Sequence, residues 1–517
     1  MNRTVRILLG LLTIGLVALT SCKKENQEPK NEGTTYVSVA IGLQSGMRAD
    51  GADEDQYNPK GKWNGKDAIE SVDVYIVSKG EVALGRYTKD DFTISNESNP
   101  AGDDKAITIT PKKAILTTAG QKEVFVLLNA PEKVTNLLKQ SIPNNFMAAY
   151  NKAIEDMTTS QVAKTDAKKG DIIMMTNAAK CVVDVKDGVT AKQALAGQNR
   201  ASVQVKRAVA RVLLTATDKT YTIKYEDGTD MGTISNITYA VAQGEKAFYL
   251  SQKKDDKGVI LTPAYNFMPT IGIATPNYAA QAAAYDYSDL NSTDKTPRPA
   301  LVATDLSTAL AIGEKSLESS AFIFEASHLF GQAGETTTNY TGKFRRANTP
   351  YVLVRTKFVP APAKFATPAE KAAYDKGDGT FFRGEDGLFY AGNEIQDGEG
   401  NELRPDQKYV KYVKGKVLYY AFVNPDNVEK TLNAPAYRNN IYHISVTGFK
   451  GLGTNWNPLY PEDPENPKDN PDPKPKDDPN TPPFNPGDNN TPKETYMAVD
   501  VTVVPWNVHT YEITLSL

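Results

Sequence analysis

The stretch 499-VDVTVVPWNVHTYEITLSL-517 holds two alternating runs on either side of Pro505-Trp506-Asn507. Val499, Val501 and Val503 share one face of an extended chain before the break. Tyr511, Ile513, Leu515 and Leu517 share one face after it, because successive side chains of a strand point to opposite sides. Both runs read as half-buried β-strands. The second stands at the end of the sequence, where residues fray unless something ties them down, so its four apolar side chains need a cover. Two covers fit the pattern: the strand closes its own sheet, or it fills a groove in another copy by strand addition.

Upstream of this stretch, residues 457–492 are rich in Pro, Asp, Asn and Lys without apolar periodicity. Such a composition cannot bury enough surface to fold alone. A flexible coil of about 35 residues spans roughly 33 Å, so the closing strands read as tethered. Further back, strands are expected at 221–225, 234–241, 322–325, 351–358, 417–423 and 441–449, a helix at 368–374, and either state at 279–285. In the first half the strand signals are 34–43, 72–77, 124–128 and 172–175. Residues 203–214 (VQVKRAVARVLL) read as one strand that becomes more buried, with a domain boundary near 215–219. Between 132 and 156 the period changes to helical (Val134, Leu137, Leu138, Ile142, then Met147, Tyr150, Ile154), which predicts two short helices broken at Pro143.

The 34–43 run (TTYVSVAIGL) puts Val37, Val39, Ile41 and Leu43 on one face, with the same period as the tail, so either segment suits the same kind of slot. Gly46-Met47-Arg48-Ala49-Asp50-Gly51 and the polar residues up to Lys66 follow, and read as an exposed segment of the kind proteases nick. Removing the 34–43 strand is expected to take away a sheet edge and to leave an apolar slot with unpaired backbone groups.

Arg3 and Arg6 precede an apolar core at 7–19, the layout of a secretion signal. Leu19-Thr20-Ser21-Cys22 resembles a bacterial lipobox, which implies cleavage before Cys22, diacylglyceryl attachment to it and N-acylation; two or more acyl chains give stable anchoring. Residues 23–33 then read as a polar tether. With Cys22 lipidated, Cys181 has no cysteine partner, and an exported chain of this kind relies on its cores for stability.

At 517 residues, 40% hydrophobic, the chain has length for more than one domain, and 26 tyrosines with many Thr and Val favour strands. A net charge of -3 gives no reason to expect nucleic acid or anionic lipid as a partner. There are three histidines, no HExxH, no paired CxxC and no GxxxxGK[ST] loop. His443 and His509 read as structural or exposed. Asp397-Gly398-Glu399-Gly400-Asn401 reads as a solvated turn without EF-hand spacing. No enzyme, cofactor or metal is expected.

VFVLLNA ending at Ala130, VQVKRAVARVLL with Arg207, Ala210 and Arg211, the late Tyr437-Arg438-Asn439-Asn440-Ile441-Tyr442-His443-Ile444 run with Gly448, Gly451 and Gly453 after it, and Val501-Thr502-Val503-Val504-Pro505-Trp506 resemble, in that order, the fimbrillin family of Bacteroidales, the subunits of donor-strand-assembled pili. The resemblance implies a mainly β chain with two transthyretin-like β-sandwich domains and short helical insertions. It implies a lipoprotein precursor at the outer membrane and cleavage by an arginine-specific protease. The groove so opened would then receive another subunit's C-terminal strand. On this sequence that gives a signal peptide at 1–21, a lipidated propeptide at 22–48 acylated on Cys22, and cleavage between Arg48 and Ala49. The domains fall at 49–215 and 216–517, the latter with the 457–492 insert, and the donor strand at 508–517 carries Tyr511, Ile513, Leu515 and Leu517. The expected function is a structural shaft subunit of an adhesive surface fimbria that serves colonisation and virulence. Expected partners are other copies of itself, anchor and accessory or tip subunits, the maturation protease, and host or bacterial surface receptors, with no nucleic acid. An accessory or tip subunit and a glycan-binding surface lipoprotein are the alternatives.

Overall fold

The computed structural model describes residues 34–43, 67–98, 105–166, 168–256, 258–267, 278–290, 298–304, 308, 320–328, 346–391, 409–424, 435–455, 457, 497–505 and 513–514. The chain is mainly β, with short helices between the strands. Its first half forms a ten-stranded sheet whose main path runs Glu81–Thr88, Ser71–Ser78, Gly120–Leu128, Met175–Asn177, Arg200–Arg207, Thr34–Leu43, Lys105–Pro111, Phe92–Ser98. Two further strands join it, Val182–Val185 beside Gly120–Leu128 and Ile115–Thr118 beside Thr34–Leu43.

At Ser71–Ser78 and the later half of Gly120–Leu128 the sheet is buried on both faces, and alternation explains how. Val72, Val74, Ile76, Val124, Val126 and Leu128 join Val37, Val39 and Ile41 in one core. Tyr75, Val77 and Leu127, on the opposite face, pack beneath two helices, Glu132–Ser141 and Phe146–Asn151. Phe248, Leu250, Phe324 and Ile441 enter that second cluster from the other half of the chain, so the two halves share an apolar junction.

In the second half, a six-stranded sheet containing Val209–Ala216, Asn440–Phe449 and Met497–Pro505 faces a five-stranded sheet containing Asp230–Ala242, Tyr351–Pro360 and Lys416–Phe422. Val212, Leu214, Ile444 and Val446 from the first meet Ile234, Val352, Val354 and Tyr419 from the second in one core, a two-layer arrangement consistent with a sandwich.

The 203–214 run is two strands. Arg200–Arg207 belongs to the first sheet, and Val209–Ala216 to the second-half sheet, with buried Ala208 at the crossing. The first strand alternates between buried and exposed positions and the second is buried throughout. The change in burial along the run therefore marks a change of sheet, made without Gly or Pro. The 172–175 run likewise divides into Gly170–Ile173 and Met175–Asn177, in separate sheets. The ambiguous 279–285 stretch is the helix Tyr278–Ala284 running into Tyr285–Asp286.

Candidate strand-acceptor groove

Thr34–Leu43 lies inside its sheet, which corrects the expectation of an edge. On one side it runs parallel to Arg200–Arg207, from Ser38 opposite Arg200 to Leu43 opposite Val205. On the other its first half pairs antiparallel with Ile115–Thr118 and its second half with Lys105–Pro111. Val37, Val39 and Ile41 are at most 2% exposed. Each such side chain contributes roughly 1.5–3 kcal/mol of burial before ordering costs. Taking this strand away would leave a slot with a hydrogen-bonding rim on both sides and an apolar floor.

One end of the slot is polar. Thr35 is fully buried; its hydroxyl donates to the Lys186 carbonyl (2.7 Å) and accepts from Val189 N (3.0 Å) and Asn199 Nδ2 (3.2 Å). The backbone N–H of Tyr36 donates to the Val189 carbonyl and that of Ser38 to the Asn199 carbonyl. Asn199 holds a left-handed φ of 51°, which turns its side chain and its carbonyl to the strand together. Ser38 Oγ donates to the Ala194 carbonyl (2.5 Å), and Arg200 Nε reaches Ser38 Oγ at 3.5 Å. At the other end, a Cβ on Gly42 would come within 2.5 Å of the Gln204 side chain.

Of the tail residues, Ile513 is in a described strand, Ile513–Thr514, which pairs with Val501 and Asp500 of Met497–Pro505 at the margin of the second-half sheet. Two residues of ladder attach it there. Tyr511, Leu515 and Leu517 lie outside the described residues, as do Cys22, Arg48, Ala49, His509 and all three tryptophans.

Residues 410–512 match the family described as major fimbrial subunit protein type IV, fimbrillin, C-terminal. The whole chain is similar to a minor fimbrium subunit Mfa1 of Porphyromonas gingivalis, with 30% identity over 98% of each chain. The chain belongs to the fimbrillin family. Among solved structures, the FimA fimbrillin of Porphyromonas gingivalis aligns over 92% of this chain and 99% of its own at 12% identity and a TM-score of 0.40. The tip fimbrial protein Mfa3 of the same organism aligns over 80% of this chain and 95% of its own at 13% identity and a TM-score of 0.29.

In this fimbrillin the residues that follow 44–66 are held firmly. Asp67 forms a parallel bridge with Asp171, and Ala68 N donates to the Asp171 carbonyl at 2.8 Å. Arg207 clasps the Asp67 carboxylate through Nε (3.1 Å) and Nη2, and its Nη1 donates to Asn439 Oδ1 (3.1 Å) across the junction. Arg211, buried and ion-paired with buried Asp171, also reaches Ser320 Oγ at 2.6 Å. Burial lowers the Arg211 pKa and Asp171 opposes that shift. Asn129 closes the same corner: its amide donates to the Ala68 (2.8 Å) and Ile173 (3.2 Å) carbonyls while Oδ1 accepts from Glu70 N (2.8 Å). The conspicuous residues of VFVLLNA and VQVKRAVARVLL thus fasten the start of the 67–78 segment and join the two halves.

Arg438 does the same from the late run, donating to Glu325 (3.0 Å) and to the Tyr249 (2.8 Å) and Leu250 (3.0 Å) carbonyls. His443 is buried with Nε2 2.8 Å from Thr215 Oγ1, a structural contact between adjacent strands. Among the described residues no group of His, Cys, Asp and Glu is placed to hold a metal ion, and no helix is long and apolar enough to cross a membrane. Thr35, Asn199, Arg200 and Asp67 were not singled out from sequence. Gly197-Gln198-Asn199 was the one local hint, since Gly and Asn tolerate positive φ.

Proposed function

We propose that this fimbrillin is a structural shaft subunit of an adhesive fimbria at the cell surface, exported as a lipoprotein precursor acylated on Cys22. Cleavage between Arg48 and Ala49 frees the first strand, and residues 508–517 of another copy take its place. Anchor and accessory or tip subunits are its assembly partners, and surface receptors its adhesive targets. The observation that carries this reading is the interior position of Thr34–Leu43, laddered on both sides over fully buried Val37 and Ile41. A strand in that position stabilises the precursor while attached, and its removal creates a site only another strand satisfies. The clasp on Asp67 supports it from the other side, because a cut at Arg48 leaves the chain from Asp67 onward fastened.

The test is deletion of residues 508–517. The truncated chain should keep the melting temperature of the intact precursor and form no long filaments by negative-stain microscopy. A sharply lowered melting temperature would mean that the tail closes its own sheet, and undiminished filaments would mean that another segment joins the subunits.

A further inference from the structure

We propose a specific register for the incoming strand: residues 508–517 of a second copy replace Thr34–Leu43 one for one and in the same direction, and Arg200 and the Thr35 pocket select that register. The proposal rests on the strand-donation reading above. It places His509 at Thr35, Tyr511 at Val37, Ile513 at Val39, Leu515 at Ile41 and Leu517 at Leu43.

Apolar periodicity alone leaves the register open, because a slip of two residues keeps every side chain on its face. Two features of the groove remove that freedom together with the choice of direction. The first, which sets the direction, is the pocket around Thr35, where Asn199 Nδ2, Val189 N and the Lys186 carbonyl all address one polar side chain. Among the alternating positions 509, 511, 513, 515 and 517, His509 and Tyr511 carry groups that both donate and accept, and Ile513, Leu515 and Leu517 carry none. The polar end of the tail meets the pocket when the strand enters in the direction of the original. Run the other way, the strand would bring Leu517 to these polar groups.

The second feature is Arg200, which stands directly opposite Ser38 in the parallel ladder and extends its Nε to within 3.5 Å of that hydroxyl. In the proposed register Glu512 occupies the Ser38 position, and a carboxylate meets the guanidinium. A slip of two residues that brings Tyr511 to Thr35 moves Glu512 to the Tyr36 position and leaves Thr514 facing Arg200.

At the Gly42 position the atoms nearest to a Ser516 Cβ belong to the flexible Gln204 side chain. Tyr511 is larger than Val37, so the core around that position has to repack to take it.

Disulfide mapping tests the register in the full-length chain, with Cys181→Ser as background, in filaments assembled by the producing cells. Directly paired residues of adjacent strands lie within the Cα separation a disulfide spans. Arg200→Cys combined with Glu512→Cys should give an intermolecular ladder on a non-reducing gel, and Arg200→Cys with Thr514→Cys should give none. The reverse result would overturn the register and leave strand donation standing. Charge exchange is the second measurement. Arg200→Glu should reduce filament mass, and Arg200→Glu with Glu512→Arg should restore it; no restoration would overturn the role of Arg200. Filaments that persist without residues 508–517 would instead remove the donation reading on which the register rests.

Discussion

A pair of single substitutions separates the strand present before maturation from the strand present after it. Ile41 is fully buried and lies between Val203 and Ile109, so Ile41→Ala removes apolar volume from a packed site and leaves a cavity, at a cost of about 2–5 kcal/mol. For a unit of this size each kcal/mol lowers the melting temperature by roughly 2–4 °C, which gives a drop on the order of 5–20 °C in the unprocessed precursor. The same substitution should leave the melting of assembled filaments unchanged, because under the proposed exchange the strand carrying Ile41 is gone from them. Leu515→Ala should behave in the opposite way, sparing the precursor and lowering the dissociation temperature of the filament by a similar amount, since the proposed register gives Leu515 the Ile41 position. Calorimetry on the purified precursor and filaments gives all four values. If Ile41→Ala weakens the filament as much as the precursor, the first strand is still in place and the exchange argument fails. If Leu515→Ala weakens the precursor, the tail packs on its own subunit.

Arg48→Ala should yield folded precursor that does not polymerise, and the wild-type mature protein should begin at Ala49 by N-terminal sequencing; a start downstream of Trp63 would place the cut elsewhere. Asp171→Ala strands the Arg211 guanidinium in the junction and should cost about 3–5 kcal/mol in chemical denaturation, whereas Asp171→Leu with Arg211→Met should recover most of that loss. Glu245 is buried, and desolvation raises its pKa to about 8, opposed by hydrogen bonds from Thr262 and Ala264 N. The folded state therefore holds this proton more tightly than the unfolded chain does, so the stability Glu245 contributes is present at acid pH and is lost as pH rises towards 8. Glu245→Gln should flatten the decline in melting temperature from pH 5 to 8 and be the more stable variant at pH 8; parallel pH profiles would show that Glu245 does not titrate in this window.

Local pattern was enough for a strand such as Thr34–Leu43, whose bounds match its alternation, and for the break at Pro143 between two helices. Alternation and turn chemistry are properties of neighbouring residues, so they can be read where they stand. Glu81–Thr88 and Lys105–Pro111 escaped that reading, one because its residues are mostly half-exposed and the other because its alternating run offers only two apolar residues, Ile107 and Ile109. The sequence also carried the family through the order of its short runs, and it marked Arg207, Arg211 and Arg438 without saying what they do.

Tertiary structure alone decided what lies beside each strand. Periodicity fixes which face of Thr34–Leu43 is apolar, yet it is silent on whether the backbone N–H and C=O groups meet one neighbour or two. Here the neighbours come from residues 105–118 and 200–205. Likewise the division of VQVKRAVARVLL at Ala208 and the clasp of Arg207 on Asp67 depend on groups distant in sequence. A buried arginine and a solvated one look the same in a sequence, because the carboxylate that makes burial tolerable is brought there only by folding.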